Sequence, residues 1–280
     1  MAKLLEATID LNGLRGAQYF EPYAGGAGAA LALLDCGAVS KVHLNDRDAR
    51  IFAFWRAAIN QTSEMIDRVM SVPLNIGEWE KQRAICRAPS RHSQLDVGFA
   101  AFYMNRCNRS GVLTGAGPIG GLAQQGKWRL DVRFYRSELA RRLATIGRNR
   151  KKIVVTRLDA IEFLKQRLPR GPMRRESFVY LDPPYVVKGK RLYLNAYEER
   201  DHKTLADYML KQQVLPWIMS YDDTPLVRNL YRSASLAMLT IDYKLHNKRS
   251  ADELVITPEQ VVTPSTCTIA GKYRQLVAVA

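Results

Sequence analysis

The tetrapeptide Asp182-Pro183-Pro184-Tyr185 combines groups that could hold a ligand beside a reacting atom. It follows an apolar run, residues 178–181, that predicts a short buried β-strand, and prolines end the strand because they cannot donate to a ladder. The chain thus places an acid and an aromatic side chain directly behind the strand, in a turn that two prolines make rigid. A strand that leaves the core through a rigid turn would use the same residues, so the tetrapeptide alone leaves both interpretations open.

A glycine-rich turn, within EPYAGGAGAAL, is the second candidate for ligand binding. Glycines between a strand and a helix let a ligand approach the backbone, and a helix N-terminus favours negative groups. The dinucleotide fingerprint fails, because Leu31 stands where it needs glycine or alanine. Asp46 lies eighteen residues after Gly28, at the end of the next predicted strand. It could accept hydrogen bonds from a ribose or cap a helix near Arg47, so the pair predicts a nucleoside cofactor other than NAD.

Asp159 follows the strand-like run KKIVVT, and capping of the next helix is its alternative role. Parallel strands present their carboxyl ends at one edge of a sheet, so we expect Asp46, Asp159 and Asp182 to converge. Capping alone does not account well for three acids at successive strand ends. This pattern favours a functional role for Asp182.

Elements that could position these residues alternate between strand and helix from residue 17 to 59 and again after residue 151, which predicts an α/β fold with a mostly parallel sheet. Between residues 62 and 150 the alternation stops, and the segment is helical at both ends around a glycine-rich loop. We interpret residues 62–150 as an inserted, mainly helical domain, and residues 1–61 with 151–280 as the α/β domain.

The formal charge of +15 is concentrated in one part of the chain. Residues 81–152 hold sixteen Lys and Arg against three acidic residues, a net charge of +13. A local excess indicates a polyanionic partner, and nucleic acid is favoured over a membrane surface because no sustained amphipathic helix is present. The bias towards arginine suits phosphates and guanine edges.

Several protein classes do not fit the composition. No apolar run approaches the roughly 18 residues of a membrane span, and the N-terminus lacks the layout of a secretory signal. Cys36, Cys86, Cys107 and Cys267 are scattered without the spacing of metal ligands. We therefore expect a cytoplasmic protein with reduced thiols, no membrane partner and no metal requirement.

The glycine turn and the tetrapeptide occur in an order that resembles the Dam-like DNA adenine methyltransferases. EPYAGGAGAALALL and YLDPPY are similar to the family's cofactor turn and catalytic motif, and FYMNR, MSYDDTPLVRNLY and KRSADELVIT are similar to further family segments. The resemblance implies a Rossmann-like methyltransferase domain with an inserted target-recognition domain. It implies site-specific methyl transfer from S-adenosyl-L-methionine to adenine N6 in double-stranded DNA, in a restriction-modification or phage system.

The resemblance also assigns roles to residues around the cofactor. Pro22, Tyr23, Gly26 and Gly28 would line its methionine and ribose parts. Asp46 would hold the ribose, Asp159 would contact the adenine amine, and Asp182 would border the cofactor site as well as the catalytic site.

For catalysis, the resemblance implies that Asp182 and the Pro183 carbonyl accept hydrogen bonds from the target amine while Tyr185 stacks on the flipped base; Pro184 adds rigidity. An adenine amine is a poor nucleophile because its lone pair is delocalised into the ring. Two rigid acceptors can draw the nitrogen towards tetrahedral geometry and aim its lone pair at a methyl donor. Extrusion of the base from the duplex costs stacking energy that an aromatic ring offsets.

The basic segment would contain the target-recognition surface. Asparagine can recognise adenine and arginine can recognise guanine, lysine and arginine touch phosphates, and basic residues after the catalytic turn could brace the distorted strand. For any single arginine, a solvated charge or a phosphate contact is the alternative. The predicted DNA-binding residues are Asn105, Arg106, Asn108, Arg109, Lys127, Arg129, Lys188 and Arg191.

Two alternatives remain at this point. The same tetrapeptide serves enzymes that methylate adenine in RNA. The family's Gly-Gly-Lys segment before the glycine turn has no counterpart in this sequence, so a DNA-binding protein with a lapsed methylase site is the other alternative. Intact Asp46, Asp182 and Tyr185 favour an active enzyme.

Overall fold

Helices and strands alternate in the first 60 residues and again from residue 153 to residue 244 in a computed structural model, which describes residues 1–186, 197–244, 248–269 and 272–279. The described helices are α1 (Ala2–Leu11), α2 (Gly28–Asp35), α3 (Ala49–Asn60), α4 (Thr62–Ser71), α5 (Ile76–Arg87), α6 (Gln94–Cys107), α7 (Arg136–Arg148), α8 (Ala160–Arg167), α9 (Glu199–Met209) and α10 (Pro225–Leu230). The strands are β1 (Gln18–Glu21), β2 (Lys41–Asn45), β3 (Ile153–Thr156), β4 (Ser177–Leu181), β5 (Trp217–Asp222), β6 (Ser235–Lys244), β7 (Lys248–Thr257), β8 (Thr266–Ile269) and β9 (Lys272–Ala278).

The chain forms two units, of which the first combines Met1–Asn45 with Leu158–Ala280 and the second spans Asp46–Arg157. The division of the chain into a methyltransferase domain and a target-recognition domain with the boundaries given above stays a prediction. In the residues that the structure describes, no helix is long and apolar enough to cross a membrane.

The sheet of the first unit has the strand order β2-β1-β4-β5-β7-β6-β9-β8. The strands β2, β1, β4 and β5 are parallel to one another. From β5 onward each neighbouring pair is antiparallel. The predicted α/β class is confirmed, but the parallel part is smaller than predicted. Only three residues separate β6 from β7, too few for the crossover that a parallel pair needs.

One face of this sheet carries the hydrophobic core of the first unit. Side chains alternate between the two faces of a strand, so Phe20, Val179, Leu181 and Trp217 share a face. They are buried against apolar residues of α8 and α9. In α8, Ala160, Phe163 and Leu164 recur at helical spacing and are all buried, which fixes α8 against the sheet.

The second unit is mainly helical, with α3 to α7 packed around aromatic side chains. Phe102 stacks on Phe54 with ring centroids 5.8 Å apart, and it meets Phe134 edge to face at 6.0 Å. Helices α3 and α6 approach closely at Gly98, where a Cβ atom would lie 2.6 Å from the Ala53 carbonyl oxygen. Glycine is therefore required at this contact.

Candidate active site

The crevice between the carboxyl ends of β1 and β4 is the candidate site. Strand β1 is flanked by β2 on one side and β4 on the other, so the chain order reverses between β1 and β4. Open α/β sheets bind ligands outside the carboxyl ends of strands at such a reversal. The glycine turn follows β1 and Asp182 follows β4, so the fold brings both predicted motifs to this crevice.

The turn after β1 leaves open space above its backbone. Gly25 and Ala27 both adopt left-handed backbone conformations, with φ of 48° and 41°. For the non-glycine residue Ala27 this conformation costs about 1–3 kcal/mol, a cost typical of ligand-binding segments. Gly26 and Gly28 are exposed, and a Cβ atom on either would meet no atom within 4 Å. The turn can therefore receive a ligand close to its backbone, next to the start of α2.

Asn45, the last residue of β2, ties the glycine turn to the segment before Asp159. Its side chain is buried, and its Nδ2 donates to the carbonyls of Pro22 and Leu158, at 3.0 Å each. Its Oδ1 accepts from the Leu158 amide at 2.8 Å. Asn45 was not predicted as a site residue, because the charged Asp46 next to it was chosen instead. An amide side chain at the end of a predicted strand was the available signal.

The structure separates the capping roles of the first two predicted acids. Asp46 directly follows β2, and its Oδ1 accepts from the Asp48 amide at 2.9 Å. The helix predicted near Arg47 begins at Ala49 and is capped by Asp48, so the capping alternative for Asp46 is wrong. Asp159 does cap α8, where its Oδ1 accepts from the Ile161 amide at 2.9 Å. Asp159 is nevertheless exposed.

Asp182 lies directly after β4 in a largely buried setting. Its Oδ1 accepts a hydrogen bond from the Ser220 hydroxyl at 3.2 Å, and Ser220 is bonded in turn to the Tyr180 hydroxyl at 2.9 Å. Burial, followed by the negative charge of Glu253, raises the pKa of Asp182 to about 6, while hydrogen bonds from Ser220 and Tyr185 act in the opposite direction. At neutral pH the carboxylate is therefore mostly ionised and can accept hydrogen bonds.

The rest of the tetrapeptide is fixed against β5. Pro183 and Pro184 are buried, and the half-buried Tyr185 ring lies 6.3 Å from the Tyr221 ring. The Val186 amide donates to Oδ1 of Asp222 at 3.0 Å. The carboxylate and the ring are thus held on one rigid turn.

A chain of aromatic side chains connects the glycine turn to β5. The hydroxyls of Tyr23 and Tyr197 are 2.7 Å apart, and the Tyr197 ring meets His202 edge to face at 5.4 Å. His202 is hydrogen-bonded to the Tyr221 hydroxyl, and burial lowers the pKa of His202. No role was predicted for this histidine; in the structure its neutral imidazole supports the wall of the crevice.

Of the predicted DNA-binding residues near the loop of the second unit, three support the loop itself. Asn108 is fully buried, its Oδ1 accepts from Trp79 Nε1 at 2.7 Å, and its Nδ2 donates to the Val112 carbonyl. Asn105 donates to the Gly111 carbonyl at 3.1 Å and accepts from Arg106. Arg109 is exposed.

Lys127 and Arg129 are also exposed, on either side of Trp128, whose side chain is 51% exposed. Lys127 Nζ lies 5.6 Å from the Trp128 ring centroid. Lys188 and Arg191 lie outside the described residues. Among the described residues, no group of three or more His, Cys, Asp or Glu side chains could hold a metal ion.

A family model matches the part of the chain that contains the tetrapeptide. The family model of the D12 class N6 adenine-specific DNA methyltransferases matches residues 99–247, just over half of the chain, and this range includes Asp182 and Tyr185. The chain belongs to this family. The enzyme class predicted from the tetrapeptide, an adenine-N6 DNA methyltransferase, is thereby confirmed.

Two further comparisons add little. Comparison with curated proteins gave no match. A solved structure titled as a conserved hypothetical protein of Streptococcus pyogenes is 11% identical, with 89% of each chain covered and a TM-score of 0.35. Similarity at that score supports no conclusion about fold or function.

Proposed function

We propose that this chain transfers a methyl group from S-adenosyl-L-methionine to N6 of an adenine that is flipped out of double-stranded DNA at a specific sequence. The observation that carries the proposal is the position of Asp182 and Tyr185 on one rigid turn, across the β1–β4 crevice from an open glycine turn. A Rossmann-like methyltransferase fold for the first unit is part of the proposal.

The residues of the glycine turn fit a nucleoside-bearing cofactor. When bound, S-adenosylmethionine supplies an electrophilic methyl group on a positively charged sulfur. Pro22, Tyr23, Gly26 and Gly28 would line it, because open space above the two glycines admits a ligand that any side chain would obstruct. Asp46 would accept hydrogen bonds from the ribose, Asp159 would accept one from the adenine amine, and Asp182 would border the site.

Asp182 would act on the target amine. Its carboxylate and the Pro183 carbonyl would accept hydrogen bonds from N6 and favour tetrahedral geometry at the nitrogen as the new N–C bond forms. The methylated nitrogen then carries one proton too many, and the Asp182 carboxylate is the group placed to accept it. Burial strengthens both interactions, because few water molecules compete for the carboxylate.

Tyr185 would stack on the extruded adenine. Its ring is half-buried and lies 6.3 Å from the Tyr221 ring. Stacking on an aromatic ring replaces part of the base stacking that extrusion removes. Tyr185 also donates a hydrogen bond that favours ionised Asp182, so the two residues act together.

The exposed basic residues of the second unit would contact DNA. Lys127 and Arg129 would touch phosphates, and Arg109 would reach a base edge. Asn105, Arg106 and Asn108 would act mainly by holding the loop that presents these groups. Lys188 and Arg191 would brace the strand next to the flipped base.

Transfer of a tritiated methyl group from S-adenosylmethionine to duplex DNA and to RNA, followed by nucleoside analysis, tests the proposal. We expect N6-methyladenine in DNA, and a loss of at least about a hundredfold in rate for Asp182→Ala, since one preorganised acceptor is removed. A product found only in RNA would overturn the DNA assignment. Near-normal methylation by Asp182→Ala would overturn the catalytic role.

Tyr185 provides the matched control for stacking. Tyr185→Ala should slow transfer, whereas Tyr185→Phe should retain measurable activity because stacking requires a ring and not a hydroxyl. A Tyr185→Phe variant as inactive as Asp182→Ala would contradict the stacking role.

A further inference from the structure

The catalytic carboxylate belongs to a polar cluster on the sheet face opposite the hydrophobic core. The register pairs Leu181 with Met219, so Asp182 lies beside Ser220, and Asp222 of β5 pairs with Glu253 of β7. Ser220 is 1% exposed and Glu253 is 4% exposed. The titratable and hydrogen-bonding groups of this cluster are Tyr19, Glu21, Tyr180, Tyr185, Ser220, Asp222 and Glu253.

We propose that Ser220 and Glu253 are positioning residues that set the ionisation of Asp182 in opposite directions. This inference rests on the proposed function, in which ionised Asp182 is the acceptor for the target amine. Ser220 would favour the carboxylate by donating to its Oδ1, and Glu253 would disfavour it by placing a second negative charge in the same buried cluster.

The hydrogen bonds of Ser220 support a defined direction of donation. The ionised carboxylate of Asp182 can only accept, so the single proton of Ser220 points to Oδ1 at 3.2 Å. The Tyr180 hydroxyl, 2.9 Å from Ser220 Oγ, must then be the donor in that pair. Tyr180 thus keeps the Ser220 proton directed at Asp182. In the chain Tyr180–Ser220–Asp182, each hydroxyl donates its one proton to the next residue.

Glu253 supplies the opposing charge. Burial and then Glu253 raise the pKa of Asp182, and both Asp182 and Glu253 contribute to raising the pKa of Tyr180. The amino group of Met1 lies near Glu253. Asp222 is engaged with the Val186 amide. A carboxylate poised near neutrality can accept hydrogen bonds from the amine and later take up its proton.

The pH dependence of kcat/KM for DNA methylation tests the proposal. Methylation should fall as the pH drops through the pKa of Asp182, because protonation removes the acceptor. The acid limb of the profile is the pH range in which kcat/KM falls as the pH is lowered. It should lie about one pH unit higher in Ser220→Ala and up to about one unit lower in Glu253→Gln. A residue that only supports the fold would lower activity without moving the limb, and unmoved limbs in both folded variants would overturn the proposal.

Two control variants distinguish an effect of the Ser220 hydroxyl from an effect of changing any buried serine. Ser177 is a fully buried serine in β4 whose hydroxyl has no hydrogen-bond partner among the described residues, so Ser177→Ala should keep the wild-type limb. Ser220→Thr retains the donor and should restore the limb towards the wild-type position. A Ser220→Thr limb that matches Ser220→Ala would contradict the role of the hydroxyl.

Direct titration keeps this inference separate from the proposed function. The Asp182 carboxyl carbon can be followed by NMR in protein labelled with ¹³C-aspartate, with Asp182→Asn used to assign its signal. The midpoint should move upward in Ser220→Ala and downward in Glu253→Gln even if no nucleic acid is methylated. Methylation without these shifts would leave the proposed function intact and overturn the inference.

Discussion

At the scale of single residues, His43 makes the fold sensitive to acid. Its Nε2 donates to Gln18 Oε1 at 2.8 Å, and its ring stacks on Phe20 at 4.4 Å. Its buried Nδ1 has no hydrogen-bond partner among the residues that the structure describes. Protonation would therefore place a charge and an unsatisfied N–H in the interior. Burial, with smaller effects of Lys41 and Arg167, lowers the pKa of His43 to about 4.

The first prediction concerns this histidine. Because the folded-state pKa lies below the unfolded value of 6.5, the unfolded chain binds the proton first as the pH falls. The contribution of neutral, buried His43 to the free energy of unfolding is therefore complete above pH 6.5 and is lost as the pH falls from 6.5 to 4. Urea unfolding at pH 7 and pH 4.5 should show that wild type loses about 2 kcal/mol more than His43→Gln over this interval.

A matched control comes from the exposed His92. His92→Gln should keep the wild-type pH dependence, because its side chain lies in solvent. Equal pH dependence for wild type and His43→Gln would contradict the role assigned to His43.

Residues with a sequence motif were the ones predicted. Asp182 and Tyr185 stand in a specific tetrapeptide, and Gly26 and Gly28 stand between a strand and a helix. Ser220 and Glu253 were not predicted, because only the strand register brings them near Asp182. No spacing in the sequence indicates that they are neighbours. Their roles follow only from pairings between segments that are far apart in sequence.

At the scale of elements, the site depends on how three chain segments are joined at the strand ends. Asn45 supplies the joint through three hydrogen bonds to Pro22 and Leu158, and its main-chain carbonyl accepts a further one from the Ala24 amide at 2.9 Å. The glycine turn after β1 and the Asp159 segment are therefore held by one side chain. A substitution at Asn45 should therefore disturb both the glycine turn and the Asp159 segment of the proposed cofactor site.

The second prediction follows from this joint. Asn45→Ala should lower the free energy of unfolding by about 2–4 kcal/mol, because it leaves buried backbone groups of Pro22 and Leu158 without partners. It should also weaken S-adenosylmethionine binding, measured by isothermal titration at a temperature where the variant stays folded. Asn60→Ala, at an exposed position, is the control and should change neither quantity. Lower stability with unchanged cofactor affinity would restrict Asn45 to a role in folding.

Elements with strong periodic patterns were predicted to within a few residues. The predicted strand at residues 178–181 is Ser177–Leu181, and the predicted strand at 41–44 is Lys41–Asn45. Helix α9 begins at Glu199, where a capping box between Glu198 and Asp201 sets its start. Strands β8 and β9 were not predicted, because β8 has only four residues and three of the first four residues of β9 are polar.

At the scale of the whole molecule, the positive charge divides into structural and exposed groups. Arg133 donates to the carbonyls of Arg106 and Asn108, and Arg136 donates to the carbonyls of Val69 and Val72. These arginines therefore stabilise the second unit. The sequence revealed the excess of charge, but only the structure shows which residues present it.

The third prediction concerns the exposed pair. Replacing Lys127 and Arg129 together with Gln should weaken DNA binding similarly across sequences and reduce the slope of log affinity against log salt by up to about two. Lys203 and Lys211 are exposed in the first unit, so Lys203→Gln with Lys211→Gln removes the same charge as a control. The control should keep the wild-type slope. If the two double variants change the slope equally, the effect belongs to net charge and not to a phosphate contact.

The hydrogen bonds between Asn45 and Leu158 also bear on how the chain folds. These residues are 113 positions apart, and the neighbouring strands β1 and β4 pair Gln18 with Ser177. Closing so long a loop costs conformational entropy, and contacts between distant residues slow folding. Compaction of residues 46–157 brings the ends of the loop together, so we expect this segment to fold before the crevice closes. On the ribosome, more than 180 residues must be synthesised before Asp182 can join its neighbours, which makes the crevice between β1 and β4 one of the last parts of the enzyme to form.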